Sequence, residues 1–217
     1  MMSRQKALLH PAAKPILFVI CLLPFAWLFY RAFANELGAN PAEALIRATG
    51  DWTLRFICIV LTVTPLRVMS KTPTLARFRR MLGLFAYFYV VVHLLSYSWF
   101  DMGFDVADIA KDIAKRPFIL VGFSAFVLLT PLAATSFNAA INAMGAKRWQ
   151  MLHKLVYVVA GLGLLHFFWM RAGKNNFAEV FVYVAIIAVL LGWRVLQFLK
   201  KKRPQANTSG PVQLRNQ

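Results

Sequence analysis

Four histidines occur in the chain, and three of them, His93, His153 and His166, lie within strongly apolar stretches; His10 precedes the first such stretch. An imidazole in an apolar, water-poor setting is costly unless it meets a partner, and such groups are functional candidates by default. Neutral imidazole is a common axial ligand of haem iron, with its second nitrogen held by a hydrogen bond. Two or more histidines reaching one metal from opposite sides are therefore the first chemistry to consider. The bland reading is that each bonds across to a neighbouring helix.

The elements that would position these residues follow from composition. The chain has 217 residues, 59% of them hydrophobic, more than one soluble core of this size needs. A membrane-spanning helix needs roughly 20 apolar residues. Six windows qualify, at approximately 15–33, 52–69, 81–100, 117–136, 149–170 and 177–199. They are continuous apolar runs without the alternation of a barrel strand, so helices are predicted. The fold class expected is all-α, a polytopic membrane bundle of six transmembrane helices spanning residues 1–203, followed by a disordered cytoplasmic tail at 204–217.

The net charge of +17 could suggest nucleic-acid binding, but its distribution points elsewhere. All eight acidic residues lie in alternate connections: Glu36, Glu43 and Asp51; Asp101, Asp105, Asp108 and Asp112; and Glu179. The other connections hold only cations, among them Arg67, Lys71, Arg77, Arg79 and Arg80, then Lys147 and Arg148. Basic short loops stay in the cytoplasm, which puts both termini inside and makes the number of spans even. The basic excess then reflects topology and attraction to anionic membrane lipid, and no nucleic-acid partner is expected. Arg4 and Lys6 before an apolar run ending Ala32-Phe33-Ala34 imitate a signal peptide; retention is expected, because the run is long for a signal core. Cys21 and Cys58 read as apolar fillers, and no Cys-x-x-Cys-His sequence exists for covalent haem attachment. Residues 34–51 and 101–116 are the longest external connections, the second containing a short amphipathic helix from Asp105. No nucleotide-binding fingerprint or nucleophile elbow is present, so an electron donor must be another molecule.

Depth refines the histidine reading. The third and fifth spans run in the same direction; His93 lies 12 residues beyond Met81, and His166 lies 17 beyond Trp149. Both fall in the outer half, where they could clamp one iron. His153 lies 13 residues before His166, or about 20 Å lower at 1.5 Å per residue, a spacing suited to a second stacked macrocycle. On an ideal helix those two side chains diverge by about 140°, so the macrocycles must attach to different flanks or the helix must be deformed. No histidine pairs with His153. The position fourteen residues before His93 is Arg79, which reads either as an inside-positive anchor or as a ligand or propionate partner.

Several segments then carry a family resemblance: Leu22-Leu23-Pro24-Phe25, Thr64-Pro65-Leu66, Arg79-Arg80-Met81-Leu82-Gly83-Leu84, His93 with Ser96-Tyr97, Arg116-Pro117, the run from Gly145 to Tyr157 through Trp149 and His153, and His166 with its aromatic neighbour. In order and spacing the chain resembles the MsrQ (YedZ) family, haem-binding membrane subunits of the periplasmic methionine-sulfoxide reductase system, within the ferric-reductase-like transmembrane superfamily. The resemblance implies a multi-pass protein of the bacterial inner membrane, carrying haem b, one or two, and FMN. It implies electrons drawn from the quinone pool or a cytoplasmic flavin reductase, delivered to a periplasmic molybdopterin-containing methionine-sulfoxide reductase that repairs oxidised proteins. Carried over by position, His93, His153 and His166 are its haem-ligand histidines. Larger superfamily members have two histidines on each helix, and Arg79 stands in the fourth place. The chain would then be an electron-transfer subunit, not the catalytic one. Two rivals are a self-contained ferric-chelate reductase, disfavoured by the missing nucleotide-binding domain, and a non-redox transporter or assembly factor with structural histidines.

Overall fold

The computed structural model of the protein describes residues 2–173 and 177–202; the tail expected at 204–217 lies outside the described residues. Among the described residues there is no strand, and six helical spans are long and apolar enough to cross a membrane: Ala13–Phe33, Pro41–Met69, Pro73–Phe100, Pro117–Ala134, Ala146–Ala172 and Ala178–Lys200. The protein is a multi-pass, all-α membrane bundle. Large apolar side chains such as Ile16, Trp27, Phe181 and Val189 point outward, as a lipid-facing surface requires.

In chain order the helices are α1 (Met2–Leu9), α2 (Ala13–Phe33), α3 (Pro41–Met69), α4 (Arg79–Phe100), α5 (Val106–Lys115), α6 (Pro117–Ala134), α7 (Asn138–Met144), α8 (Ala146–Leu152), α9 (Leu155–Ala172) and α10 (Ala178–Lys202), with a 3₁₀ turn at Pro73–Phe78 before α4. The connections holding the acidic residues all lie at one end of the bundle, called here the acidic end; the other is the basic end.

Two departures from the expected spans bear on function. First, α3 begins eleven residues before the apolar window, inside what reads as a loop. Asn40 is its N-cap, its side-chain oxygen accepting from the Glu43 N–H at 3.1 Å, and Pro41 occupies the first helical position. A glutamate in the first turn favours the same helix end. Asn40→Ala should cost about 1 kcal/mol of helix stability. Hydrogen exchange would register it as faster exchange over residues 41–50, with the remainder of α3 unchanged.

Second, the fifth span is not one helix. It breaks at His153-Lys154, where the N–H groups of Val156 and Tyr157 donate to carbonyls three residues back, those of His153 (3.4 Å) and Lys154 (3.0 Å). The ideal-helix phase between His153 and His166 does not carry through such a break. The amphipathic helix expected in the third connection is present as α5, capped by the Asp105 carboxylate, which accepts from the N–H groups of Ala107 and Asp108 at 2.8 and 3.0 Å.

Packing is organised as two close helix pairs, α3 with α4 and α6 with α9, joined where α4 meets α6 and α3 meets α9, with α10 against both α3 and α9. The α3–α4 seam holds stacked aromatics: Phe56 lies 5.0 Å from Tyr89 and 5.7 Å from Phe85, and Trp52 6.1 Å from Tyr89. Tyr89 is fully buried, and its hydroxyl enters the hydrogen-bond ladder of α2, accepting from the Phe25 N–H and donating to the Cys21 carbonyl, both at 3.0 Å. Pro24 has already removed a donor from that turn. The α6–α9 seam uses small buried residues, Ala125 and Ala160, that let the backbones approach.

Arg194 on α10 donates to the carbonyl of Leu61, four residues before Pro65. Proline has no N–H, so this carbonyl has lost its ladder partner in the apolar interior, and the guanidinium replaces it.

Candidate functional site

Each close helix pair supplies one histidine, braced by its own partner helix. His93 on α4 donates from Nδ1 to the Ile46 carbonyl of α3 at 2.8 Å, and the Thr49 hydroxyl stands 3.5 Å from the same nitrogen. His166 on α9 donates from Nδ1 to the Phe118 carbonyl of α6 at 2.6 Å. A carbonyl can only accept, so both contacts place a proton on Nδ1; in the neutral ring, the form an apolar interior favours, Nε2 keeps its lone pair. A metal-ligating histidine is held in this way.

The two imidazoles line one cavity of about 260 Å³ at the acidic end, walled by α3, α4, α6 and α9. Their ring centres lie 6.3 Å apart, with planes at 74°. Imidazole nitrogen binds a first-row metal at about 2 Å and lies about 1.2 Å from its own ring centre, so two imidazoles on opposite sides of one metal have centres roughly 6 Å apart. The pair matches that spacing. The cavity interior is mostly apolar, and its rim carries Arg47, Asp51, Asp101, Arg116 and Arg171. The three cations are paired: Arg171 with Glu179 at 2.6 Å and Asp51 at 3.7 Å, Arg116 with Asp112 at 2.9 Å, and Arg47 with Glu43 at 2.6 Å. Tyr97 also donates to Asp112, at 2.6 Å, which ties α4 to the end of α5 over the cavity. Asp101, just beyond α4, has its carboxyl pushed above the usual range by burial, against the pull of Arg116. This donor set, two neutral imidazoles in an apolar slot and no third ligand of the His, Cys, Asp or Glu type among the described residues, suits a haem iron.

The structure thus brings His93 and His166 together. It does not bring His153 to them or to another histidine. His153 sits at the α8–α9 break with its ring stacked on Trp149, centres 3.8 Å apart. Its Nδ1 lies 3.0 Å from the Trp149 carbonyl, and its Nε2 lies 3.2 Å from the Leu132 carbonyl and 3.4 Å from the Ser136 hydroxyl. Arg79 opens α4 at the basic end, in the charge neighbourhood of Tyr157, Arg67 and Arg194. His10 stays local, its Nδ1 accepting from the Ala12 N–H at 3.2 Å.

The sequence reading missed the partners of the histidine pair. Ile46, Thr49 and Gly50 lie in the early turns of α3 that read as loop, although Asn40-Pro41-Ala42-Glu43 is an N-terminal helix signal. Phe118 and Gly122 lie within a predicted span but carry no mark that they face His166.

Residues 49–164 match the family described as ferric reductase like transmembrane component. The chain is 80% identical to the protein-methionine-sulfoxide reductase heme-binding subunit MsrQ of Polaromonas naphthalenivorans, covering 98% of this chain and 97% of the relative. The chain belongs to the MsrQ family. The MsrQ of Herminiimonas arsenicoxydans is 53% identical, over 87% of each chain, and that of Caulobacter vibrioides 44%, over 83% of this chain and 85% of the relative. No solved structure matches the chain. The matched segment begins at Thr49, beside the Ile46 and Gly50 turn, and ends at Leu164, so it holds His93 and His153 and stops short of His166.

Proposed function

We propose that this MsrQ-family protein binds one haem b between His93 and His166. In this reading it carries electrons across a bacterial inner membrane to a periplasmic molybdopterin-containing methionine-sulfoxide reductase. The observation that carries the reading is two imidazoles from different helix pairs, each with Nδ1 committed to a backbone carbonyl, centred 6.3 Å apart in one apolar cavity. The relatives' printed name, a heme-binding subunit of a protein-methionine-sulfoxide reductase, supplies the cofactor and the partner. Haem, when bound, supplies a one-electron iron couple.

The chain's own residues do the rest. Ile46 and Phe118 hold the protons on Nδ1 and so keep each Nε2 basic. The apolar wall excludes water, and low polarity around a metal tunes its potential. The acidic end, with its carboxylates and α5, is the periplasmic face; the basic end and both termini are cytoplasmic, by the distribution of Lys and Arg. FMN is proposed at the basic end, where the cations of the inner connections, among them Arg67, Arg79, Arg80, Lys147 and Arg148, could attract its phosphate. The electrons would come from the quinone pool or a cytoplasmic flavin reductase.

A second haem on His153 would need its Nε2 to leave the Leu132 carbonyl and the Ser136 hydroxyl, and a ligand to stand opposite. We therefore assign His153 to bracing the α8–α9 break against the end of α6. Haem quantitation should give a ratio of one per polypeptide, and His153→Ala should keep the wild-type ratio. A ratio of two, halved by that substitution, would restore the two-haem reading.

The function itself is tested with purified protein from haem-replete cells. A Soret band that sharpens on dithionite reduction is expected; its absence would leave the non-redox class. Membranes containing the protein should reduce methionine sulfoxide only when the periplasmic enzyme is present. Unchanged reduction without that enzyme would refute the carrier role.

A further inference from the structure

The two braced histidines share one further feature. His93 donates to the carbonyl of Ile46, and the residue four positions later on that helix is Gly50. His166 donates to the carbonyl of Phe118, and the residue four positions later is Gly122. The coincidence has a geometric cause. In an α-helix the carbonyl of residue i points toward the N–H of residue i+4, and the Cβ of a helical residue tilts back over the turn before it. A side chain at i+4 therefore covers the approach to carbonyl i, and glycine leaves it open.

The distances agree at both places. A Cβ on Gly122 would lie 2.7 Å from His166 Nδ1 and 2.9 Å from its Cε1. A Cβ on Gly50 would lie 3.1 Å from His93 Cε1 and 3.2 Å from its Nδ1. In both cases the three nearest atoms belong to the imidazole, so neither glycine is explained by general helix packing. Gly163, on the same cavity, differs: its Cβ would make only ordinary contact, 3.9 Å from Leu54 and 4.0 Å from Ile57. Gly161 would meet nothing within 4 Å.

We propose that Gly50 and Gly122 are positioning residues that uncover the Ile46 and Phe118 carbonyls, so that His93 and His166 each donate Nδ1–H there and hold Nε2 for a shared metal. The proposal rests on the histidine-pair reading above. It adds that ring orientation at the metal is set on the partner helices, by one glycine each. Loss of a hydrogen bond to a ligating imidazole weakens metal binding by about 10–100-fold and makes the ligand less basic. A less basic ligand favours the reduced metal, so the reduction potential should rise.

The experiment compares Gly50→Ala, Gly122→Ala, Gly161→Ala, Gly192→Ala, His93→Ala and His166→Ala in the full chain, with folding followed by gel filtration and circular dichroism. Haem affinity is read by hemin titration, ring geometry by the low-spin electron paramagnetic resonance signal, and the potential by redox titration. Gly122→Ala should bind haem about 10–100-fold more weakly, with a raised potential and an altered low-spin signal. Gly50→Ala, whose contact is less tight, should retain haem with a displaced low-spin signal, and this variant decides the matter if Gly122→Ala does not fold. Gly161→Ala and Gly192→Ala, where an added Cβ meets nothing within 4 Å, should match wild type. Wild-type affinity and an unshifted signal in both Gly50→Ala and Gly122→Ala, or equal losses in the two controls, overturn the proposal. Loss of haem in the histidine variants alongside silent glycine variants overturns it alone, whereas histidine variants that keep haem overturn the ligation reading on which it rests.

Discussion

His93→Ala and His166→Ala should each abolish the reducible Soret band, and the double variant should be no worse than either single one. Both imidazoles line one cavity, with ring centres 6.3 Å apart. Removing either leaves the other without a metal to share, so the losses are not additive. Loss of a supporting hydrogen bond already costs about 10–100-fold in metal affinity, and loss of the ligand itself should exceed that. The measurement is pyridine-haemochrome haem per polypeptide on protein that still elutes as a folded species. Imidazole added to the His166→Ala protein should restore part of the band, since Gly122 and the Phe118 carbonyl remain to receive a free ring. A half-occupied band in either single variant would mean two independent centres, and a full band would remove these residues from haem binding.

Arg194→Met should be the most damaging substitution away from the cavity. Its guanidinium serves the Leu61 carbonyl, which Pro65 cannot serve. Methionine keeps much of the apolar stem but leaves that carbonyl unpaired, at a cost of about 1–3 kcal/mol. The decisive variant is the double one. With Pro65→Ala, residue 65 regains an N–H, the α3 ladder closes on Leu61, and the arginine is no longer required. Thermal unfolding in detergent should show Arg194→Met well below wild type and Pro65→Ala/Arg194→Met most of the way back. If the double variant stays as unstable as the single one, Arg194 acts through its position over the Tyr157 ring, 5.4 Å away, and the proline account fails.

Much of this protein is legible in its sequence because lipid imposes a simple rule. A segment that crosses hydrocarbon must satisfy its backbone internally and present apolar side chains, so length and hydropathy alone place the six spans. The cost of imidazole in that setting marks His93 and His166, and counting residues along two co-directional helices puts them at similar depth. Boundaries fared less well where polarity misleads. Glu43, Arg47 and Asp51 give the early turns of α3 the composition of a loop, yet the Asn40 cap and Pro41 begin a helix there. That hidden extension carries the Ile46 carbonyl and Gly50.

His153 shows the other limit. As one residue of an uninterrupted apolar helix it resembles a third ligand with an awkward angular phase. In the fold it occupies a break, stacked on Trp149 and facing the end of α6. Nothing in the local sequence announces that break, because no proline or glycine marks it.

By itself the sequence determined the number of spans, the sorting of charge to the two ends and the depth of the two paired histidines, since each depends only on transfer between water and lipid and on rise per residue. Which helix faces which was decided only by tertiary packing: α3 against α4, α6 against α9, and the closing of both pairs around one cavity. Depth is a one-dimensional quantity that residue counting yields, whereas a hydrogen bond from His166 to Phe118, or the room that Gly122 leaves for it, depends on the rotation and approach of two separate helices.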